Sequence, residues 1–149
     1  MGLIDRIHKN VSKILNAKQP ESASTDASQA RHLRDGQAAE RLAETYLARR
    51  GLKIITRNVR SRWGEIDLVA ADGAAVVFVE VRMRSDPRYG GAAASVSAAK
   101  QKRIIQTARW FLAYTGKAWS ERPCRFDVIL LDQLKLSHIE WIKGAFEAF

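Results

Sequence analysis

The chain has 149 residues, 46% of them hydrophobic and 28% charged, with a formal net charge of +9. That length supports one domain with a real core, and no apolar run approaches the roughly 18 residues needed to span a membrane. The lone cysteine, Cys124, excludes an internal disulfide and fits a reducing cytoplasm. The opening Met1–Arg6 carries no signal-peptide core, so a cytoplasmic location is expected. His8, His32 and His138 are scattered and have no Cys partners at zinc spacing. The basic excess points to a polyanionic partner, nucleic acid first, against the plainer reading that it only aids solubility.

Residues 3–15 place Leu3, Ile4, Ile7, Val11, Ile14 and Leu15 at helical spacing with Arg6, Lys9 and Lys13 between them. This predicts a short basic amphipathic helix that docks on the domain, on a protein partner or weakly on a membrane surface, with docking or self-association the plainer reading. Residues 18–31 are small and polar, the composition of a linker. The expected division is therefore a leader over residues 1–32 and a domain over 33–149.

Residues 36–50 predict a helix with Ala39, Leu42, Ala43 and Tyr46 as its apolar stripe, Glu40 on the flank, and Gly51 at its end. A strand follows from Leu52 to Asn58. Arg57, Arg60, Arg62 and Trp63 then read as a basic loop, either a phosphate contact with stacking or a solvated turn.

Gly64-Glu65-Ile66-Asp67-Leu68-Val69 and Val77-Phe78-Val79-Glu80-Val81-Arg82 carry acids inside strongly apolar strands. A buried carboxylate must be paired or bound to a metal. The intervening Asp72-Gly73 predicts a two-residue hairpin in which Ala71 pairs with Ala74. That register sets Asp67 opposite Phe78 and Glu65 opposite Glu80. Glu65, Asp67, Phe78, Glu80 and Arg82 then share one face, and Ile66, Leu68, Val77, Val79 and Val81 the other. Asp67 and Glu80 become diagonal neighbours, roughly 7–8 Å apart along the backbone. A divalent cation suits such a pair; the competing arrangement is an ion-pair cluster with Arg60, Arg62 or Arg82.

Ser85 to Gly91 reads as a flexible loop. Ser95 or Ser97 caps a helix to about Tyr114, with Lys100, Lys102 and Arg103 in its first turns. Arg125 to Leu131 is a strand, and Leu136 to Ile142 a last strand. The order α-β-β-β-α-β-β makes an α/β fold around a mixed sheet.

Taken together, Gly36, Glu40, Asn58-Val59-Arg60, the two acidic strands, Lys100 and Arg125-Phe126-Asp127-Val128 resemble the YraN-like bacterial proteins. That family is similar to archaeal Holliday junction resolvases within the PD-(D/E)xK nuclease superfamily. The resemblance spans residues 33–149. It implies a restriction-endonuclease-like core, a mixed β-sheet flanked by helices. It also implies Mg²⁺- or Mn²⁺-dependent hydrolysis of phosphodiesters in DNA, branched or structured DNA in particular, by a homodimer. Asp67 matches the metal-binding Asp, Glu80 the acid of the (D/E)xK element, and Arg82 the position of its Lys. Glu40 matches the helical Glu that resolvases add, and the Val81 carbonyl completes the metal set of Asp67 and Glu80. Arg60, Arg62, Lys100 and Arg103 are the expected nucleic-acid contacts.

Arg82 departs from the pattern. Arg stays protonated where Lys can shed its proton; it can clamp a phosphate but not act as a base. The alternative is therefore a weak or inactive nuclease-fold protein that binds nucleic acid, or an adaptor that recruits a partner through residues 3–15.

Overall fold

The computed structural model describes residues 21–84 and 96–148. The expected helix over 3–15 and loop over 85–91 lie outside them. The chain divides into two compact units, Met1–Arg34 and Asp35–Phe149. The elements run α1 (Glu21–Arg49), β1 (Lys53–Ser61), β2 (Gly64–Asp72), β3 (Ala75–Met83), α2 (Ala98–Tyr114), β4 (Cys124–Leu131) and β5 (Ile139–Phe146), with single 3₁₀ turns at Lys117–Trp119 and Leu136–His138. No described helix is long and apolar enough to cross a membrane.

The first helix begins well before the expected residue 36. Its early residues, read as linker for their small polar side chains, contain no Gly or Pro between Glu21 and Gly36. Ala, Gln and Arg in that stretch are good helix formers, and Pro20 just before it suits a helix start. Composition outweighed pattern here, because a helix needs no apolar stripe where it buries nothing. At the other end Gly51 takes φ +90°, and the Leu52 N–H returns to the Leu47 carbonyl at 3.1 Å, the left-handed closure glycine permits.

All five strands form one sheet in sequence order, with β1–β2, β2–β3 and β4–β5 antiparallel and β3–β4 parallel. This is the expected α/β fold with a mixed sheet, consistent with a restriction-endonuclease-like core. A parallel pair needs a crossover, and α2 supplies it. One core layer joins Ala39, Ala43 and Leu47 of α1 to Leu68, Ala70, Val77, Val79, Ile129 and Leu131. The opposite layer joins Ile104, Ala108 and Phe111 of α2 to Ile66, Val69, Val76, Phe78, Val128 and Leu130. The central strands β3 and β4 are therefore apolar on both sides, as doubly covered strands are.

The β2–β3 register differs from the expected one by two residues. Asp72 pairs with Ala75, and Leu68 with Val79. The two-residue turn is Gly73-Ala74, not Asp72-Gly73. Gly73 sits at φ +58°, and only the first central residue needs positive φ in a II′ hairpin. The shift preserves parity but changes neighbours. Asp67 falls across from Glu80, one step beyond the last Leu68–Val79 pair, rather than diagonal to it. The last strand also starts later than expected, at Ile139.

Candidate metal centre

The site forms where β1 and β2 lose their regular alternation. Residues two apart on a strand normally point the same way. Yet Ile66 packs in the α2 layer and Leu68 in the α1 layer. This corrects the expectation that they share a face. The pairs Arg57–Leu68 and Val59–Ile66 are intact, so the turnover falls on Asn58 and Asp67 between them. Asn58 lies at φ +49°, the one non-glycine in the left-handed region among the described residues. Asn tolerates that conformation better than most residues. The twist delivers Asp67 to the rim between the two layers.

Four carboxylates converge there from three elements. Glu40 comes from α1, Glu65 and Asp67 from β2, and Glu80 from β3. One oxygen from each of Glu40, Glu65 and Asp67 lies within 4.8 Å of the others. The Val81 N–H donates to Asp67 Oδ2 at 2.8 Å. Asn58, with its amide oriented by its partners, donates to Glu65 Oε1 at 3.1 Å and Glu40 Oε2 at 3.2 Å. Glu80 is 5% exposed and meets Lys100 Nζ at 2.5 Å, with Arg82 farther off at 3.9 Å. Arg60 Nε lies 3.2 Å from Glu65.

Burial, then the charge of Glu80, pushes the Asp67 carboxyl up to about 8, against the pull of the Val81 N–H. Burial, then Glu65, also raises Glu40, while its hydrogen bond to Asp67 pulls it back. Burial and like charge thus disfavour ionising both acids of that pair. Two acids this close cannot both ionise cheaply without a cation.

Two clefts flank the cluster. One, of about 360 Å³, is lined by Trp63, Glu65, Asp67, Glu80, Lys100 and Arg103. The other, of about 650 Å³, is lined by Gln37, Glu40, Arg41, Glu44 and Asn58. The acids thus sit between two solvent-accessible hollows.

Of the residues singled out from sequence, Glu40, Asp67, Glu80, Val81, Arg82, Lys100 and Arg103 gather here. Lys100 was expected on nucleic acid, but its nitrogen lies against Glu80. Ser97 fixes its place: the Ser97 hydroxyl accepts from the Lys100 N–H at 3.2 Å, capping α2. Arg57 and Arg60 belong to β1 rather than a loop; only Arg62 and Trp63 turn between strands, with the guanidinium 4.5 Å from the ring centroid. Glu65 and Asn58 were not counted as site residues. The expected register already set the first on one face with Asp67 and Glu80, but the motif resemblance gives it no role, and the second carries no charge to draw attention.

Comparison with known proteins agrees with the motif resemblance. The profile of the uncharacterised protein family UPF0102 matches residues 39–131. A UPF0102 protein of Methylobacillus flagellatus is 56% identical over 113 residues, covering 76% of this chain and 96% of the relative. One from Nitrosomonas europaea is 49% identical, covering 75% and 92%. One from an Enterobacter species is 46% identical, covering 74% and 82%. The chain belongs to the UPF0102 family, the YraN-like, nuclease-like group related to Holliday junction resolvases.

Proposed function

We propose that this chain is a divalent-metal-dependent phosphodiester hydrolase acting on DNA, with branched or otherwise structured DNA as its substrate class. The convergence of Glu40, Glu65, Asp67 and Glu80 on one rim carries this reading. A fold gains nothing from holding a buried acid protonated to about pH 8 beside three more. An all-oxygen donor set suits a hard cation such as Mg²⁺ or Mn²⁺. Such an ion supplies an electrophilic centre for the phosphoryl oxygen and acidifies bound water.

The chain's own residues divide the remaining work. Asp67 and Glu80 are the principal ligands, with Glu40 and Glu65 at the flank. In a strand the N–H and C=O of one residue point to the same side, so the Val81 carbonyl faces the rim where its N–H meets Asp67. Lys100 balances Glu80 and stands in for the lysine that Arg82 replaces. Arg82, half exposed and 3.9 Å from Glu80, is free to swing onto a phosphate and hold it bidentately. Arg103 lines the smaller cleft, and Arg62 lies against Trp63 at its mouth.

A second reading has its own support. Lys100 already neutralises Glu80, as a protein that binds nucleic acid without cutting it would tolerate. Incubating branched, single-stranded and duplex DNA with Mg²⁺ or Mn²⁺ separates the two. Metal-dependent cleavage by the wild type, lost in Asp67→Ala, supports the hydrolase. Binding of all three substrates with no cleavage of any supports the second reading.

A further inference from the structure

A separate groove runs along β1, the edge strand of the sheet, against the C-terminal half of α2. It encloses about 410 Å³. Ile55, Val59 and Phe111 make an apolar floor. Trp110 and Trp119 stand along its walls, each half-buried against the core beneath. An indole left half-open beside a hollow can take a planar partner. One already does: the Arg122 guanidinium lies 4.5 Å from the Trp119 ring centroid.

The rim is cationic. Arg60 is largely exposed, with only a 3.2 Å contact to Glu65, and Arg122 and Lys117 are exposed beside Trp119. Arg57 is committed to Glu44 through both sides of its guanidinium, so it contributes little. Asn58 lines this groove and also donates to Glu40 and Glu65. Asn58 is thus shared between the groove and the carboxylate cluster.

We propose that this groove is a nucleobase subsite for single-stranded DNA. A base leaving its stack slides onto Trp119 in place of Arg122, and the freed guanidinium, with Arg60, takes the flanking phosphates. Aromatic faces with cations beside them are the general solution for binding single strands without regard to sequence. A continuous duplex keeps its bases stacked and cannot enter. The proposal deepens the hydrolase reading and rests on it for the nature of the ligand: it makes the preferred substrate one with an unpaired strand beside the scissile bond.

The test is binding in EDTA, where no cleavage intervenes, of a labelled oligothymidylate and of a blunt duplex. Trp119→Ala is expected to weaken the single strand on the order of ten- to a hundredfold. Trp119→Phe, which keeps a stacking face and the packing, loses less. Duplex affinity stays within about twofold for both, since phosphates dominate there. The tryptophan quenching expected when oligothymidylate binds should diminish in both variants. Single-strand affinity indifferent to both substitutions overturns the proposal, whether the groove then takes an apolar peptide or nothing. Equal losses on single strand and duplex also overturn it, because they report folding or general charge. Cleavage by wild type and Asp67→Ala is measured separately. Absent cleavage with Trp119-dependent single-strand binding removes the hydrolase and keeps the groove. Intact cleavage with Trp119-independent binding does the reverse.

Discussion

Asp127 and Asp67 are both acids inside apolar strands, and the protein treats them in opposite ways. Asp127 on β4 has no exposed side-chain surface. It accepts from Arg125 Nε at 2.9 Å and Nη2 at 3.0 Å, from Trp141 Nε1 at 3.0 Å, and from the Gly144 N–H at 2.9 Å. Arg125 also reaches Asp72 at 2.9 Å. Every lone pair that burial strips of water finds a donor. Asp67 on β2 accepts from the Val81 N–H and shares a hydrogen bond with Glu40; against the pull of Lys100, the charges of Glu80 and Glu40 repel its own. Burial of an acid alone therefore says little. Its partners distinguish a structural acid from one held ready for a cation.

The largest expected effect lies at Asp67, the acid held among like charges. Asp67→Asn should remove metal-dependent cleavage, a loss on the order of 10³-fold or more, since a ligand and its charge both go. The same substitution should raise the melting temperature of the metal-free protein at pH 8 to 9. The amide escapes the repulsion that Asp67 endures from Glu80. Calorimetric melts beside cleavage rates check both signs at once. A destabilised Asp67→Asn would make Asp67 a structural acid like Asp127.

Asp127→Asn should behave in the contrary way. It leaves Arg125 with Asp72 as its only acidic partner among the described residues and turns an amide NH2 toward buried donors, which costs about 1–3 kcal/mol. Chemical denaturation would measure it. Cleavage per folded molecule should stay near wild type, because Asp127 lies outside both clefts of the acid cluster.

How much of this contrast the sequence revealed depended on which signal carried it. The element order could be read because apolar runs, Gly51, Asp72-Gly73 and Ser97 mark strands, turns and caps locally. The convergence of Glu40, Asp67 and Glu80 came through the motif resemblance and parity of strands, and parity survived a two-residue register error. The turnover at Asn58 and Asp67 did not, because alternation is assumed when faces are assigned. Nor could sequence tell Asp127 from Asp67. Trp141 and Gly144 arrive from β5, across a long-range pairing that no local pattern encodes. The early start of α1 was missed for a different reason, since high helix propensity without an apolar stripe resembles a linker.

The pH dependence sharpens the comparison further. Folded, metal-free protein keeps the Asp67 proton up to about 8, whereas an unfolded Asp releases it near 3.9. Between those values the native state binds more protons, so stability falls as pH rises. The stabilisation is complete below pH 4 and is lost as pH passes through about 8. From pH 6 to pH 8 the loss should be roughly 2–3 kcal/mol. Melts across this window should slope downward for wild type and flatten for Asp67→Asn. Saturating Mn²⁺ should also flatten the slope, since the cation replaces the proton.

The smallest expected effect belongs to Asn58, which links the acids to the backbone turnover that presents them. Its two contributions separate by substitution. Asn58→Gly keeps the left-handed conformation and removes the amide that spans Glu40 and Glu65. Asn58→Ala removes the amide and leaves a Cβ at φ +49° without the polar side chain that lets Asn tolerate that region, which costs up to about 1–2 kcal/mol. Metal affinity should drop about tenfold in both, the effect typical of losing a group that orients a ligand. Stability should drop noticeably only in Asn58→Ala. Calorimetric titration of Mn²⁺ with parallel melts tests this. If Asn58→Gly binds metal like wild type, the amide only relieves repulsion between Glu40 and Glu65 and does not hold them for an ion. If the two variants melt alike, the backbone at residue 58 relaxes without cost, and the turnover that exposes Asp67 needs another cause.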